Sequence, residues 1–120
     1  MRFVFAALFI AVGLLYTGLA LPLMRRRVKP NRLYGLRVLA TFADEWVWYE
    51  ANAQTGRDLL YAGIFQIVVA TLIALIPDIS DPLYAIINAA VLFVGALIIA
   101  GAGWIRANRL LDQRQNSVAG

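Results

Sequence analysis

Two apolar runs joined by a short polar turn decide the fold: residues 59–105 read LLYAGIFQIVVATLIALIPDISDPLYAIINAAVLFVGALIIAGAGWI. Residues 59–76 and 83–105 contain no Asp, Glu, Lys or Arg, and the hexapeptide PDISDP joins them. About 20 consecutive apolar residues in an α-helix are enough to cross a bilayer. We therefore predict two antiparallel transmembrane helices with a short acidic turn between them.

A third apolar run covers residues 3–24 and ends at Arg25, Arg26 and Arg27. At about 1.5 Å per residue this run reaches roughly 33 Å, which exceeds a hydrocarbon core of about 30 Å. A cleaved signal peptide is the alternative. The run is long for a signal peptide, however, and the three arginines are typical of a stop-transfer signal. We predict a first transmembrane helix here.

The composition favours a membrane as solvent. Of the 120 residues, 62% are hydrophobic, whereas soluble domains contain about 45–50%. The chain has no Cys and no His, which excludes disulfides, Cys-based metal sites and catalysis by either residue. The net charge is +4 and the positive residues flank the apolar runs, so lipid headgroups explain them better than nucleic acid does. We expect no cofactor, no metal and no direct binding of nucleic acid.

The distribution of Lys and Arg predicts the orientation. Residues 25–58 carry seven of them and residues 106–120 carry three, whereas the turn between the last two spans has none and carries Asp78 and Asp81. Cytoplasmic segments are enriched in Lys and Arg. We predict a multi-pass protein of the inner (plasma) membrane, with the N-terminus outside, residues 25–58 as a cytoplasmic loop and residues 106–120 as a cytoplasmic tail.

The loop contains a predicted helix over residues 42–55. The sequence TFAD makes Thr41 a candidate N-cap, and Gly56 is a typical residue just beyond a helix end. On a helical wheel one face carries aromatic rings that suit the membrane interface: Phe42, Trp46 and Tyr49. Trp48 lies off this face, so it needs another partner: the helical hairpin, the preceding loop or another molecule.

The predicted spans hold few polar side chains. Gln66 and Asn88 face each other across the predicted hairpin, where an interhelical hydrogen bond is the first interpretation and a ligand contact the second. Proton-coupled transporters usually keep an ionisable group at membrane depth, and these spans have none in their interiors. Together, residues 1–120 are predicted to form one all-α membrane domain with three transmembrane helices and one amphipathic interfacial helix.

The loop also carries a spaced motif, N-x-x-x-G-x-R-x-x-x-T followed by W-x-x-x-N-x-x-x-G. This spacing resembles the signature of the SdpI family of small bacterial membrane proteins, here in a short, three-span form. The family often has a proline between the Arg and the Thr, which this chain lacks. The matching positions are Asn31, Gly35, Arg37, Thr41, Trp48, Asn52 and Gly56.

The resemblance implies two functions, and neither requires an enzyme. Named members protect a bacterium from a secreted peptide toxin that attacks membranes, which implies immunity by binding. One member also holds a transcriptional repressor at the membrane, which implies a signalling or scaffold role through residues 31–56. Arg37 is expected either to pair with Asp44 or Glu45, or to hold an external phosphate or carboxylate. The expected partners are therefore the bilayer and a peptide toxin or a cytosolic regulator, and a homo-oligomer is an alternative to a monomer.

Overall fold

The computed structural model describes residues 2–119, so Met1 and Gly120 lie outside the described part of the chain. It contains four α-helices in the order α1 (Arg2–Met24), α2 (Leu39–Ala43), α3 (Glu45–Ala74) and α4 (Asp81–Ala119). Helices α1, α3 and α4 are long and apolar enough to cross a membrane. The predicted all-α fold with three membrane-spanning helices is confirmed, and no strand occurs between residues 2 and 119.

Helix α3 is the centre of the bundle. Both α1 and α4 pack along α3, and they make little contact with each other. Because the two outer helices lie on different sides of α3, an open groove remains between them. The bundle is 62 Å long and about 20 Å across.

The packing of α1 against α3 depends on two glycines. A Cβ atom added at Gly63 would lie 2.7 Å from the carbonyl oxygen of Gly13, and one at Gly13 would lie 2.8 Å from the carbonyl oxygen of Gly63. Real Cβ atoms do not approach backbone oxygens so closely, so any side chain here would push the helices apart. Small residues at such crossings let membrane helices gain van der Waals contact.

Polar side chains join α3 to α4. The structure contains the predicted interhelical hydrogen bond, in which Gln66 Nε2 donates to Asn88 Oδ1 at 2.8 Å. One turn away, the hydroxyl of Tyr84 donates to the carbonyl oxygen of Ala70 at 2.9 Å. All three side chains are fully buried, and a buried polar group needs a partner to offset its desolvation. These contacts hold the α3–α4 hairpin in register.

The predicted start of the loop helix is wrong. Thr41 is not an N-cap: it lies inside the short helix α2, and Asp44 caps α3. The Asp44 carboxylate accepts hydrogen bonds from the backbone N–H groups of Trp46 at 2.8 Å and Val47 at 3.3 Å. A carboxylate caps better than a hydroxyl where it also meets the positive end of the helix dipole.

The predicted end of that helix is also wrong, and with it the separate interfacial helix. Residues 42–55 and 59–76 are not two elements, because α3 runs through Gly56 without a break as far as Ala74. A Cβ atom at Gly56 would lie 2.9 Å from Leu23 Cβ and 3.0 Å from the carbonyl oxygen of Ala20. This glycine therefore permits close approach of α1, which outweighs its usual preference for helix ends.

The third span and the predicted tail form one helix. The predicted span began at residue 83 and the tail at residue 106, whereas α4 runs from Asp81 to Ala119. Ala107, Leu110 and Leu111 pack against Val47 and Ala51 at the start of α3. Burial of this apolar face keeps α4 helical beyond the membrane-spanning region.

Replacing Gly13 with Val is expected to lower the free energy of unfolding by about 1–3 kcal/mol, as overpacking typically does. The reason is the clash of the new Cβ atom with the Gly63 carbonyl and, at 2.6 Å, with Ile67 Cγ1. Gly18→Val is the matched control, because a Cβ atom on Gly18 meets nothing within 4 Å. Thermal unfolding of both variants in detergent micelles, followed by circular dichroism, measures the difference. Equal unfolding temperatures would contradict the packing described here.

Candidate functional site

The motif residues converge where the chain between α1 and α2 folds back onto the first turns of α3. Asn31 begins this segment with a turn of its own. Its Oδ1 accepts from the backbone N–H groups of Leu33 at 2.9 Å and Tyr34 at 2.7 Å, and its Nδ2 donates to the carbonyl oxygen of Lys29 at 2.8 Å. Asn commonly organises turns in this way. Asn31 therefore shapes the segment.

Gly35 brings the segment against α3. Its φ is +108°, a backbone conformation that residues with a Cβ atom rarely adopt. A Cβ atom would also lie 2.8 Å from Asn52 Oδ1 and 3.4 Å from the ring of Trp48. Two separate constraints therefore require glycine at this position.

Asn52 on α3 holds the backbone that follows Gly35. Its Oδ1 accepts from the N–H of Leu36 at 2.5 Å. Its Nδ2 lies 2.9 Å from the carbonyl oxygen of Trp48 and 3.4 Å from that of Leu36. Asn52 is 2% exposed. Its carboxamide therefore contacts both the backbone N–H and the carbonyl oxygen of Leu36, a half-buried residue of the segment.

Trp48, the aromatic residue of the motif, is fully buried, at 0% exposure. Its Nε1 donates to the carbonyl oxygen of Val28 at 2.7 Å, and its ring lies 5.5 Å from that of Phe42. The preceding loop, one of the three predicted partners, is therefore the partner of Trp48.

Thr41 closes the segment from the other side. Its hydroxyl accepts from the N–H of Val38 at 3.0 Å and lies within donating distance of the carbonyl oxygens of Leu36 and Val38, at 3.0 and 2.9 Å. Trp48 holds Val28 at one end of residues 28–38, and Asn52 and Thr41 hold the backbone near the other end. We call this assembly the loop clasp: Asn31, Gly35, Thr41, Trp48 and Asn52.

Arg37 is the motif residue that points away from the clasp. It is exposed, and its guanidinium donates to the carbonyl oxygen of Arg32. The predicted pairing is wrong, because Arg37 forms no ion pair with Asp44 or Glu45 among the described residues, and Asp44 pairs with Arg114 at 3.4 Å. The extension of α4, which the sequence did not predict, brings Arg114 to this carboxylate.

The predicted aromatic stripe does not form a uniform exposed face. Phe42 is 52% exposed and Trp46 is 39% exposed, while Tyr49 is half-buried. The Arg114 guanidinium lies 5.7 Å from the centre of the Trp46 ring, in a cation–π geometry. Interfacial anchoring by these rings stays a prediction, but they do not lie on a separate helix.

Two polar contacts that the sequence did not predict tie the loop to the spans. The Tyr34 hydroxyl donates to the carbonyl oxygen of Leu19 on α1. Burial raises the pKa of the Tyr34 phenol above its ordinary value. Arg26 pairs with Glu50 at 2.9 Å, and this hydrogen bond and charge raise the pKa of the guanidinium. In both contacts the two partners lie far apart in the sequence and follow no helical spacing. No sequence pattern therefore predicts these contacts.

A lateral groove of about 910 Å³ lies between α1 and α4, on the surface of α3. Its walls are mainly apolar, and Gln66 lies at its floor. At one end Arg106 Nη2 contacts Asp58 Oδ2 at 3.1 Å. The Oε1 atom of Gln66 and the Nη1 atom of Arg106 are buried without a hydrogen-bond partner among the described residues. The apolar lining includes Phe65, Ala90, Val94, Gly95, Ile98 and Ala102.

A more polar hollow of about 540 Å³ adjoins the charged end of this groove. The two share Ala102 and Arg106. The hollow adds Gln54 on α3, with Arg109 and Gln113 on α4. As for metals, residues 2–119 hold no group of three His, Cys, Asp or Glu side chains placed to bind an ion.

A model of the SdpI/YfhL protein family matches residues 27–110, which is more than half of the chain. The chain belongs to the SdpI/YfhL protein family. No curated protein and no solved structure matches it. The range matched to the SdpI/YfhL family includes the entire loop clasp, α3 and most of α4, and it begins after the end of α1. The resemblance inferred from the motif is confirmed, and most of that motif builds the fold at one end of the bundle.

Asn52→Ala is expected to release residues 28–38 from α3. Leaving the part-buried Leu36 N–H without a partner costs up to about 1–3 kcal/mol, and each 1–2 kcal/mol raises the open population roughly 5- to 30-fold. Trypsin cleavage at the loop arginines, measured under conditions where cleavage follows the open population, reports this change. Asn108→Ala, at an exposed position on α4, is the control. Equal cleavage rates in the two variants would show that Asn52 does not hold the loop.

Proposed function

We propose that this protein protects its membrane against a membrane-active peptide toxin by binding the peptide within the bilayer. Membership of the SdpI/YfhL family supports a membrane protein of this kind. The observation that carries the proposal is the lateral groove between α1 and α4, an apolar concavity of about 910 Å³. Binding there requires no catalytic group.

The groove suits a membrane-embedded ligand better than the turn at the opposite end of the bundle does. At that turn the Arg2 guanidinium donates to the carbonyl oxygen of Ile79 at 2.8 Å and approaches that of Ala74 at 3.5 Å. These contacts join α1 to the α3–α4 turn. A peptide that has entered the bilayer would instead meet exposed apolar side chains around the groove, such as Phe65 and Ile98.

Filling the groove is expected to reduce protection. Gly95 lines the groove and a Cβ atom on it meets nothing within 4 Å, so Gly95→Leu adds a side chain at the groove whose Cβ atom meets no other part of the protein. Gly101→Leu is the matched control, because Gly101 also faces open space on α4 but does not line the groove. Loss of about 1.4 kcal/mol of binding energy corresponds to tenfold weaker binding.

The measurement is the survival of sensitive cells that express each variant at equal membrane levels, exposed to culture supernatant of the toxin-producing bacterium. We expect cells with Gly95→Leu to need about tenfold less supernatant for killing than cells with the unmodified protein, and cells with Gly101→Leu to match the latter. No protection by the unmodified protein against any co-produced peptide would count against immunity altogether.

We further propose that the N-terminus lies outside and the C-terminus in the cytoplasm, on the distribution of Lys and Arg. Because the chain has no Cys, single cysteines can report this orientation. Ser80→Cys lies in the α3–α4 turn and Ser117→Cys lies near the end of α4, and both serines are exposed. A membrane-impermeant maleimide is expected to label Ser80→Cys in intact spheroplasts, and Ser117→Cys only after lysis. The reverse labelling would invert the topology.

Docking of a cytosolic regulator through residues 31–56 is the second candidate. Leu33 and Leu39 are 92% and 91% exposed, and Arg37 is exposed on the same segment. Trp48 and Asn52, however, are buried in the loop clasp and have no surface to offer a partner. We therefore favour the groove. Loss of a co-purified cytosolic protein in Arg37→Ala, together with full protection by Gly95→Leu, would favour docking instead.

A further inference from the structure

We propose that the groove and the adjoining polar hollow together bind one anionic phospholipid. Its phosphate would lie between Arg106 and Arg109, and an acyl chain would run along α3 towards Gln66. The groove is apolar, the hollow is polar, and Arg106 lines both. This succession matches an amphiphile that has an apolar tail and an anionic head.

The length of the groove matches one leaflet. Asp58 and Gln66 are eight residues apart on α3, which corresponds to roughly 12 Å along the helix axis. Half of a hydrocarbon core of about 30 Å is about 15 Å. Gln66 lies in the middle of the uncharged run 59–76, so the groove extends from the charged boundary of the membrane to its centre. An acyl chain anchored at that boundary covers this distance.

The charges at the boundary favour an anion. The charged residues that line the two cavities are two arginines, Arg106 and Arg109, and one carboxylate, that of Asp58, so the lining carries a net charge of +1. Asp58 contacts Nη2 of Arg106, while Nη1 is buried without a partner among residues 2–119. A guanidinium has five N–H donors in a planar fork, and a phosphate accepts such donors in pairs.

The polar hollow suits a headgroup that forms hydrogen bonds. Gln54 and Gln113 line it beside Arg109, and their carboxamides both donate and accept. The hydroxyl groups of phosphatidylglycerol can accept hydrogen bonds from these carboxamides and donate hydrogen bonds to them. The choline group of phosphatidylcholine carries a positive charge and no donor, so it would meet arginine with the wrong charge. We therefore expect selection of phosphatidylglycerol over phosphatidylcholine.

The proposed lipid site goes beyond the proposed immunity and does not depend on it. A peptide that enters the groove would displace the acyl chain, but lipid binding needs no peptide. Lipid binding is measured on purified protein and protection is measured on cells, so each proposal can fail without the other.

The experiment uses the full chain, delipidated in detergent, and titrated with phosphatidylglycerol or phosphatidylcholine in native mass spectrometry. We expect one phosphatidylglycerol per chain and at least tenfold weaker binding of phosphatidylcholine. Arg106→Gln is expected to weaken phosphatidylglycerol binding at least tenfold. Arg114→Gln is the matched control: it also removes an arginine of α4 that pairs with an aspartate, but it lies outside both cavities.

Two further variants keep the test informative if Arg106→Gln does not fold. Arg109→Gln removes an exposed arginine of the hollow, and Gly95→Leu fills the tail region; both are expected to weaken phosphatidylglycerol binding at least tenfold. Equal affinity of Arg106→Gln and Arg114→Gln for phosphatidylglycerol would overturn the proposal. So would equal binding of the two lipids, or a lipid-free dimer that excludes both.

Discussion

The hydrogen bonds between Asn52 and the backbone of Leu36 are the constraint on which the rest of the structure depends. Where a chain leaves a membrane helix and turns back against another, its backbone N–H and C=O groups lose water and need partners. Asn52 Oδ1 supplies one at 2.5 Å, and Nδ2 approaches the other at 3.4 Å. Each such bond contributes about 0.5–1.5 kcal/mol, but leaving either group unpaired costs more. Glycine is required at residue 35 because a Cβ atom there would lie 2.8 Å from Asn52 Oδ1 and because its φ is +108°.

Helix α3 contacts the other helices along most of its length. Its first turns receive the loop on one side, through Trp48 and Asn52, and the extension of α4 on another, through Val47 and Ala51. Further along, Gly63 lets α1 approach, and Gln66 joins α4. One helix therefore carries contacts to every other element. Because the outer helices use different sides of it, the groove between them is a direct result of this arrangement.

The sequence predicted the three spans and the Gln66–Asn88 hydrogen bond because both depend on composition and simple helical geometry. It predicted the family motif by spacing, but assigned the wrong local roles to Thr41 and Gly56. Both residues have strong local preferences, for a cap and for a helix end. Asp44 caps α3 in place of Thr41. Gly56 packs against Ala20 and Leu23 inside the helix and does not end it. The loop helix and the second span therefore merged into α3.

By itself, the sequence determined that this is an all-helical membrane protein, because uninterrupted apolar runs have few other stable states in lipid. The spacing of the motif within residues 31–56 indicated the SdpI/YfhL family. Only the tertiary structure decided what the motif does. Five of its residues form a clasp, Gly56 lies against α1, and Arg37 alone faces outward. The tertiary structure also decided the groove, at one end of which Asp58 of α3 contacts Arg106 of α4. Such contacts depend on how the helices cross, which is set by packing over the whole bundle and cannot be read from local spacing.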